Sequence, residues 1–334
     1  MSTLYVIEQG ARIEKEYQRI LITKEDKVLQ RAPLGRISHV VLVGNVGATT
    51  PAMHSLLAAG ITLSLVKRNG ELWGHLQSPA PKNAQLRRTQ YLAEEDRAFC
   101  LEFARAVVLG KLRNSLSMIR RIGRRRQNVY EASQQASQVL KQAQKQVRSA
   151  PDLTDLRGIE GWAARRYFAF IRSTLPDEFR FSRRTRRPPT DPFNALLSLG
   201  YTLLNQSLMT SLEVVGLDPY IGFFHAEKYG RPALALDLVE EFRAPIVDSL
   251  ALLLVNKGMI TRSDFRRGSD GGMYLRSHAQ RVFFREFSDR LETRKFHPAG
   301  QRRFTYRKIF EIQSRLVVKY LKGEAPVYRP FNWR

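Results

Sequence analysis

Cysteine is all but missing: among 334 residues there is one, Cys100. A single thiol forms no internal disulfide and supplies no zinc-type Cys/His array, so a disulfide scaffold is excluded and a reducing, cytoplasmic setting is expected. It lies in the apolar run Phe99-Cys100-Leu101, where a buried, inert thiol is expected rather than a nucleophile. No run of about twenty apolar residues exists to span a bilayer. Met1–Tyr5 has no basic segment followed by an apolar stretch, so no secretory signal is expected. Acidic residues are in short supply: 31 Asp and Glu stand against 55 Lys and Arg, a formal charge of +24. That imbalance calls for a polyanionic partner, because each cation that meets a phosphate releases a counterion. Nucleic acid fits, and a membrane does not.

The motifs of several enzyme classes are also absent. There is no Gly-x-Ser-x-Gly elbow and no dinucleotide fingerprint. Gly44-Asn45-Val46-Gly47-Ala48-Thr49-Thr50 lacks the Gly-Lys-Ser/Thr ending of a phosphate loop and reads as a strand-to-helix turn.

The residues that are present divide the chain. Leu4–Ile7, Ile20–Ile22, Val40–Val43 and Ile61–Val66 are short β-branched runs. Asn69-Gly70 after the last of these signals a hairpin. One short helix is expected, with Thr50 as its cap and Pro51 in its first turn. Pro79-Ala80-Pro81 reads as a linker, and beyond it the period becomes helical. Helices are expected over about 86–125, 128–149, 154–173, 191–215, 235–257 and 302–322. The helix after Arg183–Pro189 is capped by Thr190 or Asp191. The expected fold is α+β: a β-sandwich-like domain over 1–80, then a larger all-α domain over 86–334. Residues 1–85 hold ten Lys and Arg against six Asp and Glu, and the remainder holds 45 against 25. The polyanion should therefore meet the helical domain, while the near-neutral β-domain suits protein contacts such as a dimer interface.

Three segments carry candidate chemistry. Glu160 stands between Gly158 and Gly161, and each glycine costs about 1 kcal/mol in a helix, which suggests close approach by a backbone or a ligand. His225 follows the aromatic run Phe223-Phe224. Asp237 and Glu240 are three apart and share a helix face. Each has a plainer reading: Glu160 as an arginine's partner, His225 bonded to a carbonyl, Asp237 as a cap or a partner of Arg243. Together, two or three carboxylates and one imidazole form a ligand set for Mg²⁺ or Mn²⁺. In a basic domain such an ion would polarise a phosphodiester. Tyr201, Tyr220 and Tyr229 are weaker candidates, as nucleophiles. His278 and His297 read as exposed or phosphate-contacting.

Leu156–Gly161, Asn194–Tyr201, Gly216–His225 and Gly230–Glu240, together with Leu4–Val6 and Val43–Val46, give the chain a family likeness. It resembles the CRISPR-associated integrase, subunit one of the spacer-acquisition complex. The resemblance implies Glu160, His225 and Glu240 as metal ligands, Asp237 as an assisting acid, and a homodimer formed through the β-domains. It also implies a heterohexamer with the small second adaptation subunit. The implied reaction is attack by a 3′-hydroxyl of a short double-stranded DNA on a phosphodiester at a CRISPR repeat, with endonuclease activity at the same site. Arg183, Arg184, Arg186, Arg187, Arg124 and Arg125 are candidates for DNA backbone contacts.

Overall fold

The computed structural model describes every residue except 1, 69–71, 79–82, 187 and 334. The Asn69-Gly70 turn, the Pro79–Pro81 linker and Arg187 therefore lie outside the described residues. The chain divides into two compact units, Met1–Ala80 and Pro81–Arg334.

The first unit is built from two four-stranded sheets. One runs β1 (Ser2–Val6), β5 (Ile37–Val43), β7 (Thr62–Val66), β8 (Leu72–Leu76), and the other β4 (Lys27–Pro33), β3 (Arg19–Lys24), β2 (Arg12–Glu16), β6 (Gly47–Ala48). The parallel pairings of β1 and β7 with β5 place β5 in the interior of its sheet, and its second half, Val40–Val43, reads as an unbroken apolar run. Val40 and Leu42 from β5 meet Ile13 from β2 and Ile20 and Ile22 from β3 in one shared core, so the two sheets pack face to face. The charged strands β2 and β4 carry no apolar run and were invisible to pattern reading. Their hairpins turn at Tyr17 and at Glu25-Asp26, which hold positive φ of 51°, 48° and 64°. The Glu25-Asp26 loop, with both central residues at positive φ, matches the twist of the strands it joins.

In helix α1 (Thr50–Ala58) the N-cap position falls on Thr49 rather than Thr50, without a side-chain capping bond, and Pro51 sits in the first turn as expected. The preceding turn is a structural one. The Gln9 amide donates to the Ile7 and Val43 carbonyls and its Oε1 accepts from Asn45 N, while Gly44 takes a φ of +75° against it.

The second unit is helical: α2 (Ala84–Glu95), α3 (Arg97–Arg125), α4 (Tyr130–Ser149), α5 (Leu153–Ser173), α6 (Pro192–Val215), α7 (Ala233–Phe242), α8 (Ser249–Asn256), α9 (Ser277–Glu292) and α10 (Tyr306–Leu321). The segment read as one helix over 86–125 is two, because the Asp96 carboxylate accepts from Ala98 N and Phe99 N and starts a new helix. Asp191, not Thr190, caps α6 through Asn194 N. Two short ribbons, β9 (Phe265–Arg267) with β10 (Met273–Leu275) and β11 (Arg294–His297) with β12 (Arg302–Thr305), interrupt the helices. Helix α9 was missed, although Ala279, Phe283, Phe287 and Leu291 bury one face at helical spacing. Among the described residues no helix is long and apolar enough to cross a membrane.

The expected 235–257 helix contains a wide π-turn at Arg243–Asp248. Its cause is Pro245. With no N–H, proline gives nothing to the Glu241 carbonyl four residues back. That carbonyl instead accepts from Asn114 Nδ2 at 2.7 Å. Asn114, on α3, also holds Phe331 O at 2.9 Å and Trp333 N at 2.8 Å. The terminal segment is thereby tied to the back of α7.

Candidate active site

Four elements bring the charged groups together: α3, α5, α7 with its π-turn, and the loop after α6. The loop is laid on the start of α7. Pro219 O accepts from Leu234 N and Ala235 N, two of the amides that a helix start leaves unpaired. Gly222 is required there, since a Cβ would stand 2.6 Å from the Ala233 carbonyl carbon. Beneath the loop, Phe223 packs edge-on against Phe99 and Phe103, with ring centroids 5.1 and 5.0 Å apart.

Asp237, wholly buried on α7, organises the tip of this loop. Its Oδ2 accepts from Phe223 N and Phe224 N at 2.8 and 3.1 Å, and its Oδ1 accepts from His225 N at 2.9 Å. Nδ1 of His225 lies 2.7 Å from the same Oδ1. An ionised carboxylate only accepts, so Nδ1 carries the hydrogen and Nε2 is left with a lone pair. That lone pair faces Glu240, with Nε2 3.9 Å from Oε1. Asp237 thus neither caps a helix nor pairs with Arg243; it supports the histidine.

Glu240 is 4 % exposed and is set between two cations. Arg243, one turn on, approaches Oε1 at 2.8 Å, and the Lys111 ammonium from α3 lies 2.6 Å from Oε2. Burial pushes this carboxyl up, but Arg243 and Lys111 outweigh it and hold it at about 2. Lys111 also pairs with Glu160 on α5. Burial works against its charge, and the two glutamates more than restore it, leaving its pKa raised. Oε2 of Glu240 is close to the ammonium but outside hydrogen-bond geometry, a buried oxygen without a proper donor. Among the described residues no three acidic, imidazole or thiol side chains converge at metal-ligand spacing. The reason is visible: the ammonium stands between the two glutamates.

A cavity of 50 Å³ opens beside Glu160, lined also by Tyr167, Arg186, Tyr201 and Arg243. Behind it Asp248, on the π-turn, accepts from Tyr167 and Tyr201. Burial and the nearby Asp248 carboxylate push the Tyr201 phenol well above its ordinary range. Arg243 and Arg184 stack on its ring, 4.6 and 5.3 Å from the centroid. A phenol so held is a poor nucleophile.

A family model for the CRISPR associated protein Cas1 matches residues 4–289. The chain belongs to the Cas1 family. It is 38 % identical to CRISPR-associated endonuclease Cas1 3 of Thermus thermophilus, over all of this chain and 98 % of that one. Among solved structures, it superposes on a chain of a Cas6-RT-Cas1–Cas2 complex with a TM-score of 0.83 and 27 % identity, covering all of this chain and 36 % of that one. A Cas1 protein from Thermotoga maritima shares the fold, with a TM-score of 0.81 and 24 % identity over 99 % of this chain and all of that one.

In this Cas1-family chain the four acidic and histidine candidates, Glu160, His225, Asp237 and Glu240, lie in one linked network. The arginine candidates do not act alike. Arg186 lines the cavity beside Glu160. Arg183 and Arg124 are exposed, and Arg125 lines a different cavity. Arg184 is turned inward, donating to Thr185 O and Asn194 Oδ1. Gly158 and Gly161 are approached by no backbone, for a Cβ on either would meet nothing. His297 is buried and bonded to Gln313, contrary to the exposed reading, while His278 is exposed and paired with Asp264. Tyr220 and Tyr229 are exposed. Cys100 is buried, and burial pushes its thiol up to about 12.

Sequence reasoning missed Lys111, Asp248 and Tyr167. Lys111 did leave a signal: it is a lone cation in Val107-Val108-Leu109-Gly110-Lys111-Leu112, where an ammonium needs an acid from elsewhere.

Proposed function

We propose that this Cas1-family chain is a divalent-metal-dependent DNA integrase and endonuclease of CRISPR spacer acquisition, with Glu160, His225 and Glu240 as the ligands of Mg²⁺ or Mn²⁺. The observation that carries the reading is the Asp237–His225 pair. A carboxylate fixing Nδ1 so that Nε2 points at a second carboxylate is the outer-shell arrangement of metal-binding histidines. The donors fit such an ion: two carboxylates, one neutral nitrogen, and a buried Glu240 oxygen with no proper donor. When bound, the ion would polarise the phosphodiester and align the attacking oxygen.

The chain's own groups do the rest. Asp237 keeps the imidazole in one tautomer. Arg243 fixes Glu240, and Arg186 at the cavity contributes a cation to a phosphate. A 3′-hydroxyl of a short duplex attacks phosphorus; the new P–O bond replaces the one to the departing 3′-oxygen, which takes up the proton. No protein–DNA covalent intermediate is needed, in keeping with a Tyr201 phenol occupied by Asp248. Water in place of the hydroxyl gives cleavage. The partners proposed are a second copy of the chain, docked through the β-rich unit, and the small second adaptation subunit in a heterohexamer. The Cas2 named in the complex of the similar structure supports that partner.

The test is a repeat-containing plasmid with a short 3′-hydroxyl duplex, with metal varied and the small subunit present or omitted. Glu160→Ala and His225→Ala should abolish joined products while duplex binding survives. Full strand transfer by either purified variant refutes the ligand assignment, and cleavage without joining would mark a nuclease only.

A further inference from the structure

A second, larger cavity lies away from this site. It measures 620 Å³ and is walled by the end of α3, the end of α5, α8, and the segment joining α9 to β11. Ligand-sized pockets run to about 300–1,000 Å³. Six of its fifteen lining residues are cationic: Arg121, Arg125, Arg126, Lys257, Arg290 and Lys295. None is acidic. Met118, Ile122, Leu252 and Leu253 supply an apolar lining, which strengthens any charge contact made there.

The crowding of like charge in the wall points to a missing anion. Trp333 also lines the cavity, while its Nε1 is buried out of reach of solvent. Burial and the like charges of Arg121, Arg290 and Arg303 hold the Lys295 amine below its ordinary range. The Arg121 guanidinium lies 4.1 Å over the Trp333 ring, so that aromatic face is not open to a base. Arg126 and Arg290 are anchored to Thr174 O and to Ser249 Oγ, which fixes their charges in place.

We propose that this cavity binds DNA backbone phosphates several steps along the duplex from the reacting phosphodiester. The proposal rests on the reading of the chain as a DNA strand-transfer enzyme. Lys111 and Arg121 are ten residues apart on α3, about 15 Å at 1.5 Å per residue. A mononucleotide does not cover that span, whereas a duplex strand covers it in roughly four to five steps of 3.4 Å. The chemistry recognised is phosphate, and the source assigned is a polymer rather than a free phosphorylated molecule.

The experiment measures duplex binding by fluorescence anisotropy across a salt series, in EDTA so that no metal contributes. Arg125→Ala/Lys257→Ala removes two exposed rim cations; Lys141→Ala/Lys145→Ala on α4 is the charge-matched control. Losing two phosphate contacts lowers the salt slope by about 1.8, which weakens binding roughly sixtyfold at 0.1 M relative to 1 M. The charge-keeping Arg125→Lys/Lys257→Arg should restore the slope. An unchanged slope, or an equal loss in the α4 control, overturns the proposal. It is also overturned if inorganic pyrophosphate protects Lys257 and Lys295 from acetylation while leaving duplex affinity untouched, since the site then serves a small ligand. Because binding is read without metal, the proposal stands or falls separately from the Glu160 and His225 assignment: strand transfer retained by Glu160→Ala would sink the catalytic reading alone.

Discussion

Lys111→Met offers a sharp probe of the site, because it removes the cation between Glu160 and Glu240 while keeping most of the aliphatic stem. At 2.6 Å from Glu240 Oε2 the attraction is about 6 kcal/mol at an effective dielectric of 20, before desolvation is subtracted. Removing one partner of a buried pair costs about 3–5 kcal/mol net, because the other charge is left uncompensated. For a unit of this size, about 2 °C of Tm per kcal/mol converts that to roughly 6–10 °C. A divalent ion held by the same glutamates replaces the lost charge. At a hundred times its Kd such an ion adds about 2.7 kcal/mol to any protein that binds it. The variant should gain more than wild type, since no ammonium has to move aside. Differential scanning calorimetry with and without Mn²⁺ reads both effects. The deficit should be full in EDTA and at least halved in Mn²⁺. A variant that melts with wild type in EDTA, or whose deficit is the same with and without metal, refutes the argument that the ammonium holds the cation position.

The remaining predictions concern the groups behind the site. Asp237→Ala strands three amides; at about 1–3 kcal/mol each the midpoint of urea unfolding should fall clearly. Asp237→Asn should instead shift the His225 tautomer seen by ¹⁵N NMR; an unaltered tautomer would count against the assigned role. Glu241 is wholly buried, and burial pushes its carboxyl up to about 8 against the donors Tyr328, Phe331 N and Gln313. The folded state therefore keeps a proton that the unfolded chain releases near 4.5. The stability contribution is full below that pH and is lost as pH rises through 8, by at most about 1.4 kcal/mol per pH unit. Glu241→Gln mimics the protonated acid and should flatten the fall in Tm between pH 5 and 8; parallel curves would show that the carboxyl is ionised throughout.

The sequence by itself determined the class of each half. Short β-branched runs and long 3.6-period segments are local patterns, so the two-part fold, α5, α6 and the Asp191 alternative for the α6 cap were legible in it. So were the candidate residues Glu160, His225, Asp237 and Glu240, through their spacing and family likeness. Breaks that depend on one residue's competing bond were not. Asp96 divides a helix by taking two amides, and Pro245 opens a π-turn whose freed Glu241 carbonyl is satisfied by Asn114 from 127 positions earlier in the chain. The strands β2 and β4 escaped notice because each buries a single residue, Ile13 and Ala32, and so carries no apolar run or alternation. What each acid does was decided by tertiary structure alone. Asp237 and Glu240 look alike in sequence, three apart on one helix. Only packing gives one of them four donors from the His225 loop and sets the other between Arg243, one turn on, and Lys111 from α3, because the loop and α3 reach α7 only in the folded chain.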